Sequence, residues 1–198
     1  MKTTIEAIIL AAGRGERMGK GVLKALLPLG ESTFIEEILG NLMQAEVTRI
    51  HIIAAEEGMK LLAPVSQKFN AELILNTEIE KGTLFSLWLG LQHLSEHSEG
   101  CISWPVDMPL VTLYTVKEIL HSALLTTKSI IVPVYHRKRG HPVIFKGAII
   151  PELLKAPLDK GARWVLHSFP EQVEEVPVND EGILKNINTP EEYELLNK

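Results

Sequence analysis

The chain has 198 residues, 45% of them apolar and 23% charged, with a net charge of −5. That length suits one sizeable domain, and the negative balance argues against a general affinity for nucleic acid or an anionic membrane. The lone Cys101 excludes an internal disulfide and a thiolate metal site and suits a reducing cytosol, while no apolar run approaches membrane-spanning length.

The N-terminal residues lead straight into an apolar strand, Ile5–Ala11, so no signal peptide is expected and the expected location is the cytoplasm. Thr33 and Glu36 have capping-box spacing and open a helix with Phe34, Ile35, Ile38, Leu39 and Leu42 on one face. Ile50–Ala54 reads as a buried strand, residues 57–69 as a helix broken or kinked at Pro64, and residues 71–75 as a third strand. An apolar helix follows Gly82 and runs through Leu94. Residues 101–106 form a fourth strand ending at Asp107, and Thr115 with Glu118 caps the next helix. Residues 129–134 and 141–145 read as strands, with helices around 151–154 and 161–167. Residues 172–178 and 183–186 are late strand-like pieces, and Thr189-Pro190 starts the last helix. Strands alternating with amphipathic helices give a single domain with a mostly parallel sheet covered on both faces.

The densest chemistry follows the first strand. Leu10-Ala11-Ala12-Gly13-Arg14-Gly15-Glu16-Arg17-Met18-Gly19 packs three glycines and the cation Arg17 into one loop, and Lys24 closes it. Glycines offer backbone N–H groups and positive φ, and the cations add charge, so a phosphate cradle explains the loop better than a plain turn. It is not a dinucleotide fingerprint, because Met18 stands where the third glycine belongs. Nor is it a P-loop, because three residues separate Gly15 from Gly19 and Gly21 follows Lys20.

Three more features fall at the C-terminal ends of strands, where ligands of open α/β sheets bind: residues 76–86, Asp107, and residues 186–188. Asp107 before Met-Pro reads either as a turn residue or as a Mg²⁺ ligand, an ion that takes one or two carboxylates and fills its shell with phosphates and water. Asn186 and Asn188 read as turn residues or as oxygen donors ahead of a helix cap. The basic run His136-Arg137-Lys138-Arg139 reads as a solvated turn or as an anion site. His51, His93, His97, His121 and His167 show no metal-site spacing, and no nucleophile elbow is present.

The loop Leu-Ala-Ala-Gly-x-Gly-x-Arg-Met-Gly with its following lysine resembles the signature of the nucleotidyltransferases, and most of all the MobA-like family that makes molybdopterin dinucleotide cofactors. Pro105-Val106-Asp107-Met108-Pro109, Gly140-His141-Pro142 and Asn186-Ile187-Asn188-Thr189-Pro190-Glu191 are similar to that family's later segments and stand in its order. The resemblance implies a three-layer α/β/α sandwich with a Rossmann-like sheet of the nucleotide-diphospho-sugar transferase type. It implies transfer of an NMP from an NTP to a phosphorylated acceptor such as molybdopterin, with Mg²⁺ on Asp107 and Asn188. Arg17, Lys24 and Asp107 would be catalytic, and Leu10, Ala11, Ala12, Gly13, Gly15, Arg17, Lys24, Asn76, Gly82 and Ser86 would bind the nucleotide. Arg139, Gly140, His141 and Pro142 would line the acceptor side. Ala11-Ala12 matches the cytidine branch and the asparagines the guanosine branch, and the loop, which would touch the base, favours CTP. A transient contact with a molybdoenzyme or its chaperone is part of the same expectation.

Four residues separate Gly19 from Lys24 and Leu23 precedes the lysine, a spacing closer to sugar- and alcohol-phosphate nucleotidyltransferases. Residues 159–163 are similar to a cytidylyl-branch segment, with Leu158 in place of its first glycine. The rival expectations are therefore transfer to another phosphorylated acceptor, or a nucleotide-binding or cofactor-delivery protein without catalysis. A metal-dependent glycosyltransferase would usually show Asp-x-Asp, and Asp107 is followed by Met-Pro.

Overall fold

The computed structural model describes residues 4–13 and 23–197. Strand β1 (Ile5–Ala11) is buried, and its side chains alternate between two apolar cores: Ile5, Ala7, Ile9 and Ala11 belong to one and Ile8 to the other. This two-residue period, apolar on both faces, is what a strand inside a three-layer sandwich requires. In chain order follow β2 (Pro28–Leu29), β3 (Ser32–Thr33), α1 (Phe34–Gln44), β4 (Ile50–Ala54), α2 (Glu56–Lys68) and β5 (Glu72–Leu75). Then come α3 (Thr83–Leu91), β6 (Gly100–Pro105), α4 (Leu113–Leu125), β7 (Ile130–Tyr135), β8 (Lys138–Arg139) and β9 (Val143–Lys146). The last are α5 (Ile150–Leu153), α6 (Arg163–Ser168), β10 (Val173–Pro177) and α7 (Pro190–Glu194).

Among the described residues the main sheet has eight strands, in the order β5-β4-β1-β6-β9-β7-β10, with β8 paired to β7. β1 is parallel to β4 and β6, whereas β9 is antiparallel to both β6 and β7. Helices α1, α2 and α4 bury Leu39, Leu62 and Ile119 in one core, and α3, α5 and α6 bury Leu87, Leu153 and Val165 in the other. Glu6 is the polar exception on β1. It is buried 2.8 Å from His51 Nε2 and accepts the Ser95 N–H at 3.1 Å, so its charge is met by neighbours. Among the described residues no helix is long and apolar enough to cross a membrane.

The structure departs from the sequence reading at four places. α2 continues past Pro64, whose side chain is exposed; the carbonyl it leaves unpaired one turn back belongs to Lys60, itself exposed to water. α3 stops at Leu91, short of Leu94. Thr112, not Thr115, caps α4, because the Thr115 hydroxyl is drawn to Asp180 at 2.6 Å. Residues 183–186 are no strand: Asp180 accepts the Gly182 N–H and folds Glu181–Leu184 into a 3₁₀ turn that buries Ile183.

α3 lies hard against β1 at Gly90, where a Cβ would sit 2.5 Å from Ile8 Cγ2. Gly90→Ala should lower stability by about 1–3 kcal/mol in chemical denaturation, and the loss should be smaller in an Ile8→Ala background, which lacks the atoms the new methyl would strike.

Candidate active site

β4 and β6 flank β1, so the crevice where the strand order reverses opens at their C-terminal ends. A cavity of about 180 Å³ sits there, lined by Leu10, Ala11, Ala12 and Gly13 at the end of β1, by Lys24, by Gly82, Thr83 and Ser86 at the start of α3, and by Pro105, Val106 and Asp107 at the end of β6. Gly15 and Arg17 lie outside the described residues. Gly82 takes φ +84°, a conformation glycine adopts cheaply, and no side chain caps α3. The first turn of that helix therefore presents N–H groups at the cavity, as anion sites do. Asn76 does not line the cavity. It is buried behind it, donating to Ser86 Oγ at 2.9 Å and accepting the Glu78 N–H at 2.8 Å, so it holds Ser86 in place.

Lys24 begins a short 3₁₀ turn, and its ammonium donates to Asn188 Oδ1 at 2.6 Å and lies 3.9 Å from Asp107 Oδ2. The other Asp107 oxygen, Oδ1, is buried with no hydrogen-bond partner. Burial pushes the Asp107 carboxyl above its usual range, against the pull of Lys24 and the Asn186 amide. A buried carboxylate oxygen left unpaired is costly, and a cation satisfies it. Asn188 is brought here from the far end of the chain by the Ile187 N–H, which donates to the Asp107 carbonyl at 2.8 Å, and by the capping box of α7. Among the described residues no three His, Cys, Asp or Glu converge on one metal position. One carboxylate with one amide oxygen fits a hard cation that also takes phosphate and water.

A second cavity of about 690 Å³ shares Leu10, Thr83, Pro105 and Asp107 with the first. Its floor is apolar (Leu84, Leu87, Val132, Val143, Phe145) and its rim carries Arg139, Gly140, His141, Arg163, His167 and Asn186. Arg139 also pairs with Glu175 at 2.7 Å, and Pro142 is buried outside the lining. Thr83 and Arg163 were not among the residues expected from sequence. The signals were there, in Thr83 following the positive-φ glycine and Arg163 closing the segment 159–163. Gly140 packs where a Cβ would meet the Ile183 carbonyl at 2.3 Å, and the same carbonyl accepts the His141 N–H at 3.0 Å.

Burial, with the nearby Arg163 charge, pushes the His141 imidazole down to about 4, and its buried Nδ1 has no partner. Between its ordinary value of 6.5 and about 4, the unfolded chain takes up a proton that the native chain refuses. Native stability therefore falls as pH drops through that window. Urea midpoints across this range should fall less steeply for His141→Gln than for the wild type.

Residues 7–176 match the family described as MobA-like NTP transferase domain. The molybdenum cofactor guanylyltransferase of Haemophilus influenzae is 30% identical over 195 residues, which cover 96% of this chain and 95% of that protein. The nicotine blue oxidoreductase of Paenarthrobacter nicotinovorans is 26% identical over 202 residues, 97% of this chain and 96% of that protein. The bifunctional protein GlmU of Ruthia magnifica is 26% identical over 142 residues, 72% of this chain, and the chain spans only 30% of that longer protein. Among solved structures, Rv0371c of Mycobacterium tuberculosis H37Rv superposes with a TM-score of 0.83 at 25% identity, covering 99% of this chain and 100% of that one. The structure of Rv0371c in complex with manganese gives 0.77 at 22% identity, covering 99% of this chain and 98% of that one. With the family match running through most of its length, the chain belongs to the MobA-like NTP transferase family.

Proposed function

We propose that this chain moves an NMP from an NTP, CTP in preference to GTP, to a phosphorylated acceptor, with molybdopterin the first candidate, and releases pyrophosphate. The observation that carries this reading is the unpaired, buried Asp107 oxygen beside Lys24 and Asn188, at the junction of two cavities. The smaller cavity would take the nucleotide and the larger the acceptor. Asp107 and Asn188 would hold Mg²⁺, which when bound neutralises phosphate charge. Manganese in the Rv0371c complex supports a divalent ion in this fold.

An acceptor phosphate oxygen bonds to the α-phosphorus as the bond to the β-phosphate oxygen breaks, and pyrophosphate leaves. The acceptor is already an anion, so no general base is needed, and the chain's work is positioning and charge neutralisation. Lys24 would meet the α-phosphate by leaving Asn188, and Arg17, on the family resemblance, would meet the departing pyrophosphate. Ala11 and Ala12 stand in the lining of the smaller cavity, and their resemblance to the cytidine branch is what favours CTP. The guanylyltransferase relative supports GTP instead, so base choice is part of the test. A second reading, nucleotide binding without transfer, is favoured by the full-length similarity to an oxidoreductase.

Pyrophosphate release with Mg²⁺ and each of CTP, GTP, ATP and UTP, with and without molybdopterin, tests the proposal. The expected result is release that depends on molybdopterin and is fastest with CTP. Release only with another phosphorylated acceptor keeps the reaction and discards molybdopterin. Nucleotide binding with no release across a broad acceptor panel favours the second reading. Asp107→Asn should cut turnover by about 10²–10³-fold. Its melting midpoint should stay at or above the wild-type value, because the substitution removes a carboxylate whose charge burial disfavours; wild-type turnover in this variant would sink the assignment.

A further inference from the structure

We infer that Asp180 is a positioning residue for the proposed metal pair, a role that rests on the nucleotidyltransferase reading. Asp180 lies in the segment after β10, is buried, and has four donors on its two oxygens. Oδ2 accepts the Thr112 N–H at 2.9 Å, the Thr112 hydroxyl at 2.8 Å and the Thr115 hydroxyl at 2.6 Å. Oδ1 accepts the Gly182 N–H at 2.9 Å. Charge-assisted bonds of this kind are the strong ones, and the N-terminus of the long helix α4 adds a favourable dipole.

These bonds close a ring that has the metal pair on its opposite side. From Thr112 the chain runs back five residues to Asp107. From Asp180 it runs forward seven residues to Ile187, whose N–H donates to the Asp107 carbonyl at 2.8 Å. Asn188 is the next residue. Within the ring the two segments touch at Gly182, where a Cβ would meet the Leu110 carbonyl at 2.3 Å, so there is no slack to take up a shift. The distance between Asp107 and Asn188 is thus set by a carboxylate that touches neither the nucleotide cavity nor the acceptor cavity. An amide at position 180 cannot serve both sides, since its NH₂ would face either the threonine donors or the Gly182 N–H.

The test is calorimetric titration of the full chain with Mn²⁺ and the α,β-methylene analogue of CTP, well below the melting midpoint. Asp180→Asn should raise the Kd by about 10–100-fold with the circular dichroism spectrum unchanged. Gly182→Ala, which keeps the charge at 180 but crowds the Leu110 carbonyl and Asp180 Oδ1, and Thr115→Val, which removes one bond, should weaken binding in the same direction and stand in if Asp180→Asn does not fold. A lowered melting midpoint with unchanged Kd in these variants would overturn the positioning role and leave Asp180 a plain helix anchor. Absence of binding by the wild type, with this analogue and with those of GTP, ATP and UTP, would remove the nucleotide reading and this role with it.

Discussion

The site depends on one unfavourable arrangement, a carboxylate buried at the end of β6 with one oxygen unpaired. Hydrophobic folding alone would not leave it there. Asp107 is tolerated because Lys24 stands near one oxygen and because its backbone carbonyl is tied to Ile187. Lys24 in turn donates to Asn188. Segments from the beginning, middle and end of the chain therefore meet around a single charge. The remainder of the sheet gives these three segments a common edge, since β1 and β6 are neighbours and end at the same level.

In the proposed reaction the two cavities would divide the labour of recognition. The smaller is bounded by backbone-rich segments, Leu10 to Gly13 and the first turn of α3, as a phosphate or base site would be. The larger joins an apolar floor to a rim of arginine and imidazole groups. Their shared wall, with Asp107 in it, is where groups from two bound molecules could approach one another. Asn76 and Asp180 work from behind this wall. Each spends its polar side chain on neighbours, so that Ser86 and the 3₁₀ turn around Ile183 are held where they stand.

Much of this was readable in the sequence because burial on both faces leaves nearly continuous apolar runs, interrupted by Glu6 in Ile5–Ala11 and by His51 in Ile50–Ala54. Once strands and helices alternate, the ends of strands are where ligands bind, and Asp107 and Gly13 fell there. Strand direction was not readable. Val143–Lys146 has the composition of any buried strand, and only its partners make it antiparallel. Nor was the turn at Glu181–Leu184, whose apolar Ile183 mimics a strand until Asp180 folds the backbone. Thr115 looked like a cap because spacing alone does not say which neighbour a hydroxyl will choose. Asn76 was expected to bind the nucleotide, but only coordinates show that its amide is consumed by Ser86 and Glu78.

The reversed strand β9 has a consequence for how such a protein can diversify. A strand running with its neighbours delivers the loop that follows it to the ligand face, whereas β9 delivers the segment that precedes it. Gly140 and His141 reach the rim of the larger cavity from that segment, attached to the β7-β8 hairpin, while the smaller cavity is furnished by what comes after β1 and β6. The two halves of recognition are thus encoded in pieces of chain that share a sheet but not a connection. Drift in the hairpin can reshape the larger cavity while the crevice at the end of β1 keeps its lining, a modularity that comes from running β9 against its neighbours.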